Sequence, residues 1–337
     1  MGAYPVTLSR QIQDDLRGDP AWAAELTPIM AQIALAAKTI ARDLREAGLL
    51  DVLGLTGTTN VQGEAVQKLD QKANETFVRV FQGYGTLVRT LISEEMEKPL
   101  DLPASAEGSR DKYALFFDPL DGSSNVDVNA TVGSIFSLHR VPPHPAPDAR
   151  DLLKPGREQV AVGYALYGPS TVLVYTCGRG VHQFTLDHSL GEFVLSVSHM
   201  KMPPRGKVYS ANEGNYPRWT AGTKRFVDYL REKDPETGRP YSTRYSGCLV
   251  ADVHRLLAVG GVYLYPGEAD KPGGKLRLMY EAAPLGLLVE QAGGKATTGT
   301  QTITAIRPEA VHQRVPLIIG SHQDVTVAEE FIQGRRQ

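Results

Sequence analysis

The segment Asp118-Pro-Leu-Asp-Gly-Ser-Ser-Asn125 follows the apolar run 113–117, so two carboxylates three residues apart stand on a tight turn at a strand end. Hard divalent cations such as Mg²⁺ take carboxylate and carbonyl oxygens in this kind of arrangement. Gly122, Ser123 and Ser124 come next, and their amides and hydroxyls suit a phosphate if a helix begins there. A bare D-x-x-D-G is also an ordinary Asp-Gly turn capped by its first aspartate, but the full octet is far more specific. Ser93-Glu94-Glu95 ends a second apolar run, 86–92; taken alone, adjacent acids there describe a solvated sheet edge. Asp70 alone likewise reads as a solvated acid in a first helical turn, favoured by the helix dipole. Lys275 and Arg277 alternate with Leu276 and Leu278, which alone reads as the solvent face of a strand.

These groups need elements to carry them. Between 25 and 46, Ile29, Ile33, Ala37, Ile40 and Leu44 follow one helical face, with Thr27-Pro28 as cap and first-turn pair and Gly48 as the stop. Val66, Leu69, Ala73, Phe77 and Val80 mark a second helix, reached through Gly54-Leu-Thr-Gly-Thr-Thr-Asn60, which is expected to be mobile. Runs rich in β-branched and aromatic residues at 86–92, 113–117, 133–139, 159–167, 171–176, 181–186 and 192–197 predict a largely antiparallel sheet. Beyond Pro203, strands at 207–210, 262–265 and 316–320 alternate with helices at 220–231, 249–258, 281–292 and 325–333, the pattern of a smaller α/β half. With 337 residues the chain exceeds the ~100–200 of one domain. Pro and Gly clustering at 200–206 divides it into 1–200 and 201–337.

The composition is that of an ordinary globular protein, 42% hydrophobic and 22% charged, which excludes global disorder, collagen-like repeats and coiled coil. Against 36 Lys and Arg stand 38 Asp and Glu. That balance offers no general attraction for nucleic acid or anionic lipid, so an anion site must be built locally. Two distant cysteines, Cys177 and Cys248, form neither a metal cluster nor a disulfide framework. No leader pattern opens the chain and no apolar run nears the ~20 residues of a membrane span. A soluble, cytoplasmic protein is expected. The usual P-loop, zinc-protease and dinucleotide signatures are absent, and the eight histidines are scattered.

The octet together with Ser93-Glu-Glu95 resembles class I fructose-1,6-bisphosphatase, of the lithium-sensitive, metal-dependent sugar phosphatase superfamily. The likeness extends through Asn60-Val-Gln-Gly-Glu64, Gln67-Lys-Leu-Asp70, Tyr209-Ser-Ala-Asn-Glu-Gly214, Val250-Ala-Asp-Val-His-Arg255, Tyr263-Leu-Tyr-Pro266, Gly274-Lys-Leu-Arg-Leu-Met-Tyr-Glu281 and His312-Gln-Arg314, nearly the whole chain. It implies an α/β fold of layered α-β-α-β-α arrangement, with metal and regulatory sites in the first half and substrate binding in the second. Carried over position by position, Glu94, Asp118, Asp121, Glu281 and the main-chain oxygen of Leu120 match the ligands of two or three Mg²⁺, with Mn²⁺ as a substitute. Asp70 and Glu95 match the pair that orients and deprotonates the attacking water, and Glu64 an acidic loop residue that pairs with Arg277. Asn212, Tyr216, Tyr245, Tyr263, Tyr265 and Lys275 match residues around the sugar and its 6-phosphate, beside Asp121 and the Gly122–Ser124 turn. Arg244 matches a residue that reaches into a neighbouring subunit of a tetramer. Two departures stand out: Asn215 separates Tyr216 from Asn-Glu-Gly, and Ala282-Ala-Pro-Leu285 replaces Cys-Asn-Pro-Met.

The implied activity is Mg²⁺-dependent hydrolysis of the 1-phosphate of fructose 1,6-bisphosphate by metal-activated water, in gluconeogenesis or the Calvin cycle. Sedoheptulose-1,7-bisphosphatase or dual activity is a second reading, since one extra sugar carbon changes contacts too subtle for these motifs. A catalytically inactive sugar-phosphate-binding regulator on the same fold is a third. Glu25, Lys112, Tyr113 and Arg140 match an AMP site of allosterically inhibited members. Ala23 stands where those members carry a threonine, so AMP inhibition is expected to be present but weakened.

Overall fold

A computed structural model describes residues 4–47, 54–59, 65–83, 87–103, 112–142 and 149–336. The chain divides into two compact units, Met1–Leu152 with Val160–His199, and Leu153–Gln159 with Met200–Gln337.

An eight-stranded sheet organises the first unit. Across it run Glu192–Val197, Val181–Asp187, Thr171–Thr176, Gln159–Tyr167, Val132–Arg140, Tyr113–Asp121, Val88–Ser93 and Leu100–Asp101. Tyr113–Asp121 is buried along its whole length. A strand covered on both faces takes a continuous apolar run rather than an alternating one, which accounts for Tyr-Ala-Leu-Phe-Phe before the first aspartate. It pairs antiparallel with Val132–Arg140 but parallel with Val88–Ser93.

Among the described residues, three helices of two turns or more accompany this sheet: α1 (Leu8–Asp15), α2 (Pro20–Arg45) and α3 (Lys68–Gly83). The start expected at Thr27-Pro28 is corrected: α2 begins with Asp19, whose carboxylate accepts from the Trp22 amide at 3.1 Å, and Pro20. An Asp cap followed by Pro in the first turn is the stronger start signal, and Thr27 and Pro28 fall inside the helix. At eight residues, α1 is too short for periodicity to reveal; its traces are the Thr7 cap and Leu8 and Ile12, one turn apart. Within the Gly/Thr-rich stretch lies a strand that the sequence reading did not assign, Leu55–Thr59, antiparallel to Ala65–Gln67. Its three threonines favour extended backbone.

The second unit carries a five-stranded sheet in the order Ser242–Thr243, Val208–Ala211, Val262–Tyr265, Leu317–Gly320, Lys295–Thr297. The first three run parallel, and the last two are antiparallel to their neighbours. Helices Ala221–Arg231 and His322–Ile332 supply Phe226, Leu230 and Phe331 to a core shared with Tyr209 and Ile318. The single helix expected at 281–292 is a π-helical turn, Leu278–Ala282, followed by helix Ala283–Gln291. Pro284 accounts for the break: within a continuous helix its ring would meet the carbonyl four residues back, whereas in a first turn it is tolerated. Both cysteines are free, and buried Cys248 caps helix Leu249–Val259. Among the described residues no helix is long and apolar enough to cross a membrane.

Candidate active site

In the first unit, strand register gathers the acids. Ser93 lies opposite Phe117 in the parallel pair, and the Glu94 amide donates to the Phe117 carbonyl at 3.2 Å, so Glu94 and Glu95 leave the sheet at the same edge as Asp118. Pro119 has no N–H for the ladder, and the pairing with Val132–Arg140 slips between Asp118 and Asp121. This bulge presents both aspartates. They are only 3% and 8% exposed, and their carboxylates bring oxygens within 4.8 Å of one another. Two buried carboxylates this close favour a cation between them. The Leu120 amide donates to Asp118 Oδ1 at 3.0 Å, while the Ser134 hydroxyl donates to the Pro119 carbonyl at 2.7 Å and lies 2.8 Å from the Tyr167 hydroxyl. Ser134 and Tyr167 escape sequence reading because they sit in apolar strands where nothing marks a polar brace.

Gly122 takes a left-handed conformation, φ +76°, as the cap of a six-residue 3₁₀ turn, Ser123–Val128. The helix start imagined for a phosphate is therefore a tighter, shorter turn. Asp70, in the first turn of α3 and 5% exposed, accepts from the Gln67 amide at 3.2 Å and from the Ser123 hydroxyl. Burial raises its carboxyl to about 6 despite those two hydrogen bonds. Phe77 of the same helix stacks on Phe117 with centroids 4.7 Å apart, fixing α3 against the strand that carries Asp118. The Glu95 amide donates to Ser93 Oγ at 3.2 Å. Glu64 lies outside the described residues.

In the second unit, parallel pairing does the same for polar groups. Ala211 faces Leu264 and Tyr209 faces Thr243, so Asn212, Arg244, Tyr245 and Tyr265 emerge at one edge, where the carboxyl ends of parallel strands commonly meet ligands. Tyr263 and Tyr265 share a strand face and stack at 6.5 Å. Asn212 caps a 3₁₀ turn, and Tyr216 within it donates its hydroxyl to Asp228 at 2.8 Å. Lys275 is exposed, whereas Arg277 is buried and donates to the Lys275 carbonyl at 2.6 Å. The Arg277 amide donates to the carboxylate of Glu281, itself 8% exposed in the π-helical turn.

Glu25, Lys112, Tyr113 and Arg140 come together in the first unit. Glu25 accepts from Lys112 Nζ and from the Tyr113 hydroxyl, both at 2.5 Å. The Arg140 guanidinium lies 5.1 Å from the Trp22 ring and 5.4 Å from that of Tyr113. Because α2 starts at Pro20, the Ala23 amide is already bonded to the Asp19 carbonyl.

Residues 6–198 match the family described as fructose-1-6-bisphosphatase, N-terminal domain, and residues 202–333 match its C-terminal domain. The chain belongs to the fructose-1,6-bisphosphatase family. A class 1 fructose-1,6-bisphosphatase of Synechococcus sp. (strain JA-3-3Ab) is 53% identical over 331 residues, covering 98% of this chain and 97% of that relative. The class 1 enzyme of Chlorobium luteolum is 51% identical over 333 residues, 98% of this chain and 99% of the relative. The crystal structure of Leishmania major fructose-1,6-bisphosphatase in holo form superposes with a TM-score of 0.89 at 39% identity, covering 98% of this chain and all of that one. Its T-state form gives 0.86 at 37% identity, covering 99% of this chain and all of that one. The layered α/β sugar-phosphatase fold and the class of phosphoric monoester hydrolase follow from this membership. Neither sedoheptulose specificity nor an inactive regulator is favoured by these relatives.

Proposed function

We propose that this chain hydrolyses the 1-phosphate of fructose 1,6-bisphosphate to fructose 6-phosphate and inorganic phosphate by direct attack of water. The observation that supports this most is the shared strand edge, where Glu94 and Glu95 run beside Asp118, the bulge presents Asp121, and Asp70 reaches the same loop through Ser123. Glu94, Asp118, Asp121, Glu281 and the Leu120 carbonyl, all hard oxygen donors, would hold two or three Mg²⁺, with Mn²⁺ able to substitute. Bound Mg²⁺ supplies neutralisation of phosphoryl oxygens and a lowered pKa for water. Asp70 and Glu95 orient the attacking water and accept its proton, and a carboxyl near 6 is well matched to that task. Arg277 is the proposed pairing partner of Glu64. Gly122, Ser123 and Ser124 offer donors to the reacting phosphate. Asn212, Tyr216, Tyr245, Tyr263, Tyr265 and Lys275 hold the sugar and its 6-phosphate, and Arg244, exposed on its unit, serves the adjacent subunit of a homotetramer. Residues 1–200 thus carry most of the metal ligands and the regulatory groups, and 201–337 most of the substrate groups together with Glu281.

Phosphate release with Mg²⁺ from fructose 1,6-bisphosphate and from sedoheptulose 1,7-bisphosphate tests the proposal. A kcat/KM favouring the fructose ester is expected; turnover of neither sugar defeats it. In the same assay Lys275→Ala should raise KM roughly tenfold to a hundredfold with little change in kcat, the size of a lost charge-assisted hydrogen bond made equally in ground and transition states. An unchanged KM would return Lys275 to an ordinary surface lysine.

The AMP reading is narrower. Any phosphate entering this cluster must displace Glu25 from Lys112 and Tyr113, which supports weak inhibition. Titration should show inhibition of the wild type that Arg140→Ala abolishes. Either no inhibition of the wild type, or equal inhibition of both proteins, discards the site.

A further inference from the structure

We infer that His312 is a positioning residue for Glu281, acting through the hydroxyl of Tyr280. The inference rests on the proposal that Glu281 is a metal ligand. Glu281 sits in a single π-helical turn, Leu278–Ala282, a conformation wider than the α-helix and rarely stable except as one turn held by its surroundings. Three consecutive residues of the opposing segment hold it. Arg314 pairs with Arg277 in the two-stranded ladder Leu276–Arg277 with Arg314–Val315. The Gln313 carbonyl accepts from the Leu278 amide at 2.8 Å. His312 Nδ1 lies 2.8 Å from the hydroxyl of Tyr280, with the two rings 5.9 Å apart at 66°.

Of these three contacts, the first two are made by backbone and survive any change of side chain; the third does not. Tyr280 is fully buried and immediately precedes Glu281 in the chain. The hydrogen bond ties the ring to the opposing segment, so breaking it from either side releases that tie and lets the ring, and the adjacent peptide with it, shift. A metal ligand tolerates little such movement, and outer partners that orient ligands typically govern metal affinity by about tenfold to a hundredfold. The effect is directed at Glu281 because the backbone contacts to Arg277 and Leu278 keep the start of the turn in place.

The test uses the full chain and Mn²⁺ alone as the probe, with affinity read by calorimetry or by loss of the free-ion resonance signal. His312→Ala and Tyr280→Phe should each weaken Mn²⁺ binding by about tenfold to a hundredfold, and the double variant no more than either single one. His312→Asn, whose amide can occupy the place of Nδ1, should recover most of the affinity. At saturating metal, kcat should return toward wild type. Unchanged affinity in His312→Ala, or additive losses in the double variant, overturns the inference. Should His312→Ala fail to fold, Tyr280→Phe decides, since it removes a single oxygen. Glu281→Gln separates the two layers: if it binds Mn²⁺ as tightly as wild type, the metal assignment itself falls, and if it binds weakly while Tyr280→Phe does not, the positioning role alone falls.

Discussion

Replacing Asp121 with alanine is expected to abolish Mg²⁺-dependent phosphate release, lowering kcat by roughly a thousandfold or more while the fold persists. The magnitude follows from the proposed role: the charged group removed would serve both a divalent cation and the reacting phosphate, where electrostatic stabilisation is the largest contribution to rate. The fold persists because Asp121 ends a strand whose packing is made by residues 113–117 and not by its carboxylate. Asp118 needs a gentler change, since its Oδ1 also accepts from the Leu120 amide and closes the turn. Asp118→Asn keeps that acceptor, removes the charge, and should match the Asp121→Ala loss. Phosphate release at saturating Mg²⁺, with circular dichroism as the folding control, measures both; near-normal turnover in either variant rejects its role in metal binding.

Asp70→Asn should lower kcat by roughly a hundredfold to ten-thousandfold, the usual contribution of a general base, and yet stabilise the metal-free protein at pH 8. Burial lifts the folded-state carboxyl to about 6, above its ordinary value near 3.8. Between those values the folded state holds the proton more tightly than the unfolded one. Stability therefore falls as pH rises through that window, and above pH 6 the folded protein bears the whole penalty of a buried charge, at most about 3 kcal/mol. Asparagine bears none of it. Thermal unfolding in chelator should show Asp70→Asn above wild type at pH 8 and level with it near pH 4. An equal difference at both pH values would mean that the charge is not the cause, and wild-type kcat would remove Asp70 from catalysis.

Much of the framework was legible from local pattern. Strands 159–167, 171–176, 192–197 and 262–265 coincide with the structure because each is a self-contained run of β-branched and aromatic residues between turn signals. The helix at 20–45 was visible by its apolar stripe, but its start was not. Two competing cap signals eight residues apart cannot be ranked by periodicity, and Trp22 and Ala23 join the helix because they are buried against the first unit's core. The π-helical turn at Glu281 was invisible for a related reason: its width is held by contacts with residues 312–315, some thirty positions away.

The sequence by itself determined which residue types stand ready: an octet with two aspartates, a Glu-Glu pair after an apolar run, an acid in a first helical turn, and tyrosines at the ends of short strands. Their chemistry as hard oxygen donors and phosphate-binding groups is a property of the side chains and needs no fold. Only the tertiary structure decided that Glu94 and Glu95 stand beside Asp118, because parallel and antiparallel pairing of two apolar strands are equally compatible with their composition, and only the parallel register brings both strand ends to one edge. The same holds for Asp70. A carboxylate in a first helical turn is by default solvated; it is pushed up to about 6 because packing of α3, with Phe77 on Phe117, buries it, while the hydrogen bond from Ser123 opposes that rise. Proton affinity depends on burial and on partners distant in sequence, and these arise from packing between elements, which no local pattern encodes.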